Sequence, residues 1–374
     1  MTSGWSIEIA PATRLDARMR AAWADLRAAN PDLWSPFFDL RLVESCARHA
    51  PRAHVAIAHR AGRIGAFLPF QGRRGGFARP LGAPLSDQHG LIAAPGEGPS
   101  LVEVVTGAGL AGYGHAALVG EPGPGATPVD LHVADLTDGV EVWHAHRAAH
   151  HGEHLKKSAR RRRAAEREWG EMRVAAVTGD PSLLETALAW KSEKLRATGR
   201  HDIMATGWIR NWLTAMHASA DPDFHAEIWT LHFGDKLAAL EYCLHAGGVT
   251  HSWFPSFDAA FAKASPGTLL MDAMIAAAGA RGDRLVDLGA GHDHYKRYSA
   301  NAVAPRSQGV VRVKGPRTTL MGLLDAASAR APETWRDTLA KVRRRGDMIL
   351  SAEPTWAGRA RGALRAIAAA RAAD

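Results

Sequence analysis

The sequence predicts an α/β protein of two lobes, with mixed, largely antiparallel sheets flanked by helices and a basic helical extension at the C-terminus. Three observations point there. The chain has 374 residues, which at roughly 150 residues per domain is two domains with chain left over. Three consecutive strand patterns, Ile228–Phe233, Leu237–His245 and Val249–Phe254, are joined only by Gly234–Asp235 and Gly247–Gly248. Such short links make antiparallel neighbours. The tail from Pro316 reads as helices separated at Gly346 and Pro354. The expected division is therefore residues 1–135, 136–310 and 311–374.

Taken in order, residues 15–29 read as an amphipathic helix stopped by Asn30–Pro31, and Asp39–His49 as a second helix between Pro36 and Pro51. His54–His59 and Arg63–Phe70 form a hairpin about Ala61–Gly62. Gly72–Pro99 is rich in Gly and Pro and reads as loop, a common setting for a binding site. Gly120–Pro128 is the clearest breaker and separates the lobes. Val140–Trp169 is one long helix, or two joined near Gly152. Met172–Val177 is a strand. Asp180 caps a helix that starts at Pro181 and runs to about Arg196. Trp208–Ala220 is another helix. After the three strands come a loop, Asp258–Pro266, a helix, Gly267–Arg281, and a buried strand, Arg284–Leu288. Gly289–Gly291 and His292–Tyr298 follow.

Composition is that of an ordinary globular protein, with 46% hydrophobic and 22% charged residues. It excludes collagen, a disordered chain and a disulfide-stapled miniprotein. Cys46 and Cys243 are the only cysteines, and neither has a metal-type partner nearby in sequence. Net charge is +8 but uneven. Lys156–Arg167 carries a net +6 and Val311–Asp374 a net +7, leaving the rest at −5. The basic excess marks two anion-facing segments. No run reaches the ~18 apolar residues of a membrane span, and Met1–Leu15 lacks the pattern of a secretory signal. The expectation is a cytoplasmic protein, touching at most the cytoplasmic face of the inner membrane through the weakly amphipathic tail Arg359–Arg371.

The order antiparallel strands, loop, helix, strand is the layout of an acyl-CoA-binding core. There the pyrophosphate rests on the N-terminus of the helix after the central strand, where unpaired N–H groups and the helix dipole favour an anion. Here that turn is Lys263-Ala-Ser-Pro-Gly-Thr-Leu-Leu270. Ser265 is the expected cap and Pro266 fits the first turn. Gly267 lets a phosphate approach, Thr268 and Leu269 continue the turn, and Lys263 adds charge.

An ordered set of residues then resembles the CelD/BcsL-like branch of the GNAT acetyltransferase superfamily. The set comprises His154-Leu-Lys-Lys-Ser-Ala-Arg-Arg-Arg-Arg163, Trp190-Lys191, the strand pair from Ala238 to Phe257, Ser265-Pro-Gly267, Asp287-Leu-Gly289 and Tyr295-Lys296. Phe37-Phe38, Gly65–Pro69 and Pro84-Leu-Ser-Asp87 belong to it as well. It spans about residues 20–305, and no single motif in it is diagnostic. The resemblance implies two tandem GNAT-like lobes, an arrangement shared with Fem-type aminoacyl transferases. It also implies acetyl-CoA as co-substrate, no metal, and an acceptor amine on a saccharide precursor for an exopolysaccharide or cell-surface polymer.

Direct transfer needs a base for the acceptor ammonium, a donor for the oxyanion and a group near the departing thiolate. Glu241, His251 and Asp287 are the candidate bases. Backbone N–H groups of Val249–Phe254 are candidate oxyanion donors. Tyr295 is the candidate acid for the thiolate, and Lys296 a candidate contact for an acceptor phosphate or carboxylate. Register decides which faces meet. A three-residue loop, Ala246–Gly248, sets Glu241 opposite Trp253 and Cys243 opposite His251; a two-residue turn sets Glu241 opposite Phe254. Trp190, Lys191 and Trp253 are candidates to line the acceptor cleft, and Arg160 stands for the basic helix as an anion contact. Each has a plainer reading as core or solvated surface.

Other classes fit less well. Val286-Asp-Leu-Gly-Ala-Gly291 looks like the first glycine motif of a methyltransferase, but it comes too late in the chain for the βα units that should follow. His144, His146, His150, His151 and His154 have partial zinc spacing without Cys or HExxH. No DNA-binding motif appears, and tRNA enters only under the Fem-type alternative. A non-catalytic CoA- or saccharide-binding module is the alternative from outside the enzymes.

Overall fold

The computed structural model describes residues 4–291, 296–315, 318–319 and 332–371. The first half contains β1 (Ser6–Pro11), α1 (Ala17–Ala28), α2 (Leu40–Ala47), β2 (Ala53–Arg60), β3 (Arg63–Gln71), β4 (Phe77–Pro80), β5 (His89–Gly90), α3 (Leu101–Gly107), β6 (Gly112–Val119) and β7 (Thr127–Asp135). The second contains α4 (Val140–Trp169), β8 (Met172–Val177), α5 (Pro181–Ala197), α6 (Gly207–His217), β9 (Phe224–Phe233), β10 (Lys236–Ala246), β11 (Val249–Phe257), α7 (Pro266–Arg281), β12 (Leu285–Ala290) and β13 (Ala302–Arg312). Two further helices follow, Glu333–Ala352 and Trp356–Arg371.

The described strands form one sheet in the order β1-β2-β3-β4-β6-β13-β7-β12-β11-β10-β9-β8, with β5 beside β6. The centre of that order shows an exchange. β7, which ends the first half, pairs with β12 of the second. β13, which ends the second half, pairs with β6 of the first and with β7. Each half completes the sheet of the other, so the lobes share a backbone ladder. Burial follows strand alternation. On one face Leu240, Tyr242 and Leu244 pack with Trp212 and Leu213 of α6 and with Phe37, Phe38 and Leu42 of the first half. On the other, Leu231, Phe233 and Cys243 pack with Met274, Ile275 and Ala278 of α7.

The long helix α4 kinks where two helices were expected to join near Gly152: the backbone of the adjacent His151 leaves the helical region at φ −134°. Other local expectations change. Gly346 lies inside a continuous helix, and the break in the tail falls at Pro354. The loop Gly72–Pro99 contains the short strands β4 and β5, and Asp258–Pro266 contains a 3₁₀ turn, Ala259–Ala264. Ser265 occupies the position before α7 but does not cap it through its side chain. Its φ of 54° is left-handed, and a capping side chain needs an extended backbone to reach the first N–H groups.

The β10–β11 register differs from both readings of the sequence. The turn has two residues, Gly247 and Gly248, with φ of 56° and 71°, as a type I′ hairpin requires. Ala246 faces Val249 and Cys243 faces Ser252, but Tyr242 faces Phe254 and Glu241 faces Pro255. Trp253 is the extra residue of a β-bulge. Strict alternation would send Trp253 and Phe254 to opposite faces; the bulge lets both join the same core.

Gly247→Ala should lower stability by about 1–2 kcal/mol in urea unfolding, the cost of a left-handed backbone with a Cβ. A Cβ there meets nothing within 4 Å, so crowding adds nothing. Gly267→Ala, equally open but without a positive φ, should unfold like the parent.

Candidate active site

β11 and β12 run parallel, but they pair only from Val249–His251 to Leu285–Asp287. Beyond His251 the strands part. The backbone groups of β11 that face β12 lose their ladder there, which opens the sheet at its centre.

At the fork His251 and Asp287 are register partners. Both side chains are fully buried, and His251 Nδ1 lies 2.7 Å from the Asp287 carboxylate. The other ring nitrogen, Nε2, lies 3.1 Å from Asp87, in the loop after β4. The same loop supplies Gln88, whose amide donates to Asp287 at 2.6 Å. The Gly289 N–H donates to the second Asp287 oxygen at 2.8 Å. Arg306, from β13, donates to Gln88 at 3.1 Å. Phe37 sets its ring edge-on to His251 at 4.9 Å. Burial opposes the imidazolium, but Asp287, then Asp87, outweigh it and raise the His251 pKa to about 9. Burial alone would raise the Asp287 pKa; the His251 charge and the converging hydrogen bonds hold it below the ordinary value. With a carboxylate on each ring nitrogen, His251 at neutral pH is a cation donating twice and has no lone pair with which to take a proton.

Glu241 is different. It is buried on β10 and accepts the Ser252 hydroxyl hydrogen bond at 2.5 Å. Burial raises its pKa to about 7; Ser252, Lys191, His251 and Lys296 pull the other way. Lys191, on α5, is itself shifted down by burial, against the attraction of Glu241 and Asp87. A carboxyl that titrates near neutrality suits proton transfer at neutral pH.

The structure thus gathers Glu241, His251, Asp287, Lys191 and Lys296 in one electrostatic neighbourhood. Lys296 is buried and donates to the Ala290 carbonyl at 3.1 Å, bracing the turn after β12. Trp253 is core: its indole N–H donates to Leu85 O across the lobes, and Phe37 and Trp212 pack against it edge-on. That placement removes it as an acceptor platform. Trp190 is half-buried against the same core. Arg160 is exposed on α4, and Lys263 is exposed before α7. The Thr268 and Leu269 N–H groups both reach back to Ser265 O, and the Leu269 side chain is core. Pro266 has no N–H, and a Cβ added at Gly267 would meet nothing within 4 Å, so the start of the helix is open on that side. Tyr295 lies outside the described residues. His154 stacks on Tyr298 with ring centroids 4.0 Å apart. Among the described residues no group of three potential ligands is arranged around a metal position. No described helix is long and apolar enough to cross a membrane.

Asp87, Gln88, Ser252 and Arg306 were not among the site residues expected from sequence. Asp87 lies in the Pro84-Leu-Ser-Asp87 stretch, whose Gly/Pro context pointed to a binding loop. Gln88 and Arg306 carry no local signal, because their partners lie 199 and 218 residues away.

Residues 152–297 match the family described as "Acetyltransferase (GNAT) domain". No curated protein matches the sequence. Among solved structures, the C-terminal domain of a putative lysylphosphatidylglycerol synthetase from Agrobacterium fabrum superposes with a TM-score of 0.50 at 13% identity, over 82% of this chain and 94% of that one. At that identity the likeness shows the fold alone. FemX gives a TM-score of 0.49 at 10% identity, over 84% and 99% of the two chains. A tandem GNAT protein from the clavulanic acid biosynthesis pathway gives 0.46 at 15% identity, over 83% and 99%. The fork of β11 and β12 and the helix after β11 lie within the matched segment, and that match makes the protein an enzyme of the acyltransferase class.

Proposed function

We propose that this enzyme transfers the acetyl group of acetyl-CoA to an amino group of a saccharide precursor for an exopolysaccharide or cell-surface polymer. The observation that carries the transfer chemistry is Glu241, a buried carboxyl with a pKa of about 7, hydrogen-bonded to Ser252 beside the fork. The saccharide acceptor rests on the resemblance of the ordered residue set. In this reading the thioester enters where β11 and β12 part, and Gly267 N–H with Lys263 meets the CoA phosphates. Glu241 takes a proton from the acceptor ammonium. The freed amine attacks the acetyl carbonyl, and unladdered N–H groups of β11 stabilise the oxyanion. The C–S bond then breaks, the thiolate takes the remaining amine proton, and amide and CoA leave. His251 is a positioning residue: as a fixed cation joining Asp87 to Asp287, it holds the lobes at the fork.

Glu241 must be ionised to act, so kcat/KM should rise with pH through about 7. Glu241→Gln should lower kcat by roughly 10²–10⁴-fold, remove that rising limb and leave acetyl-CoA binding intact in a thermal-shift titration. A variant that keeps kcat overturns the assignment. In the same titration a shift with total tRNA and none with acetyl-CoA would select the Fem-type donor instead.

His251 makes a separate prediction about stability. Its pKa is raised on folding, so its contribution is complete below pH 6.5 and is lost as pH rises through about 9. The full swing is about 3 kcal/mol at 1.36 kcal/mol per pH unit. Urea unfolding at pH 6 and pH 10 should show a loss of at least that order, and His251→Asn should reduce it to the smaller part that comes from ionising buried Glu241 near pH 7.

A further inference from the structure

The second C-terminal helix forms one wall of a cleft of about 560 Å³ against the first lobe. The opposite walls are the Pro51–Arg52 corner before β2 and the chain from Gln71 to Arg79. Four arginines line it, Arg52, Arg73, Arg79 and Arg359; Arg79 pairs with Asp347 and Arg359 Nε donates to the Glu353 carbonyl. Burial, then repulsion from Arg73 and Arg359, lowers the Arg52 pKa. The two carboxylates at the cleft already have partners, and neither pairs with Arg52 or Arg73 in a salt bridge among the described residues. Glu353 accepts from His201 and Thr206, and Asp347 is held by Arg79. The cleft therefore gathers cations whose complement is an anion from outside the chain.

Its rim is apolar. Trp356 and Leu350 line the cleft and are 83% and 45% exposed. The Arg359 guanidinium sits 5.4 Å from the Trp356 ring. The exposed stripe continues along both helices, through Trp335 and Val342 on one and Leu364 on the other. Arg344, Arg361 and Arg365 are exposed on the same two helices. A soluble phosphate would neutralise the arginines but leave the Trp and Leu side chains in water. A bilayer interface takes both: headgroup phosphates for the guanidinium groups, and the acyl boundary for an amphipathic ring and leucines.

We propose that this cleft binds the phosphate of an anionic phospholipid headgroup and docks the C-terminal helices on a membrane surface, with Trp356 and Leu350 in the interface. The proposal does not depend on the acyl-transfer reading. Full-length protein should sediment with vesicles of phosphatidylcholine plus phosphatidylglycerol and not with phosphatidylcholine alone, and added salt should weaken the binding. Arg52→Gln/Arg73→Gln should weaken it by roughly fivefold per arginine while leaving the melting temperature unchanged or higher, since it removes repulsion. Trp356→Ala should weaken it severalfold. Equal binding of the double variant, binding to neutral vesicles as tight as to anionic ones, or no sedimentation overturns the proposal. A melting-point rise with inorganic phosphate, lost in the double variant and without vesicle binding, assigns the cleft to a soluble phosphate and overturns the lipid as its occupant.

Discussion

The buried pair of His251 and Asp287 is the interaction on which the centre of this molecule depends. It joins two parallel strands at the last register pair before they separate. Asp87 and Gln88 reach it from the first half, and Arg306 reaches it through Gln88 from the exchanged strand β13. Each carboxylate meets a donor and each ring nitrogen meets a carboxylate. A buried charge left without its partner costs about 3–5 kcal/mol, so the network tolerates little displacement of one lobe against the other. The exchange of β7 and β13 adds backbone ladders to the same constraint.

That constraint bears on chemistry through its neighbour. Glu241 and His251 sit in one field but titrate in opposite senses. Burial pushes the Glu241 pKa up into the neutral range. Two carboxylates keep the imidazole charged to well above it. Environments of this kind separate a group free to exchange a proton from one fixed in its charge. The bulge at Trp253 contributes by position. It sends two successive aromatic side chains into one core and shifts Glu241 by one place relative to β11.

The C-terminal segment obeys a different balance. Its helices meet the body through polar contacts, including the indole N–H of Trp208 donating to Ala352 O and the His201–Glu353 pair, and through Ala352 and Met348, which join the core under β10. Ile349 and Ala352 face inward and are buried, while large apolar side chains face outward. The two sides of these helices thus meet different surroundings, and the arginines cluster where the body leaves a cleft.

Sequence alone determined the features set by local chemistry. Strand β8 falls where its pattern lies, the α5 start follows from Asp180 and Pro181, and the turn before β11 follows from Gly247 and Gly248. The strand–loop–helix–strand order from β9 to β12 was legible for the same reason, and Glu241, His251, Asp287, Lys191 and Lys296 were all in view. Their arrangement was not. Register turned on a bulge that only two competing aromatic side chains and a shared core could settle. The exchange of β7 and β13 leaves no mark on local patterning, because it concerns which half a strand joins rather than whether it forms. Gln88 and Arg306 are ordinary polar residues until folding brings them to Asp287. The protonation of His251 was likewise decided by tertiary structure, since an imidazole has no fixed charge until its two neighbours are known.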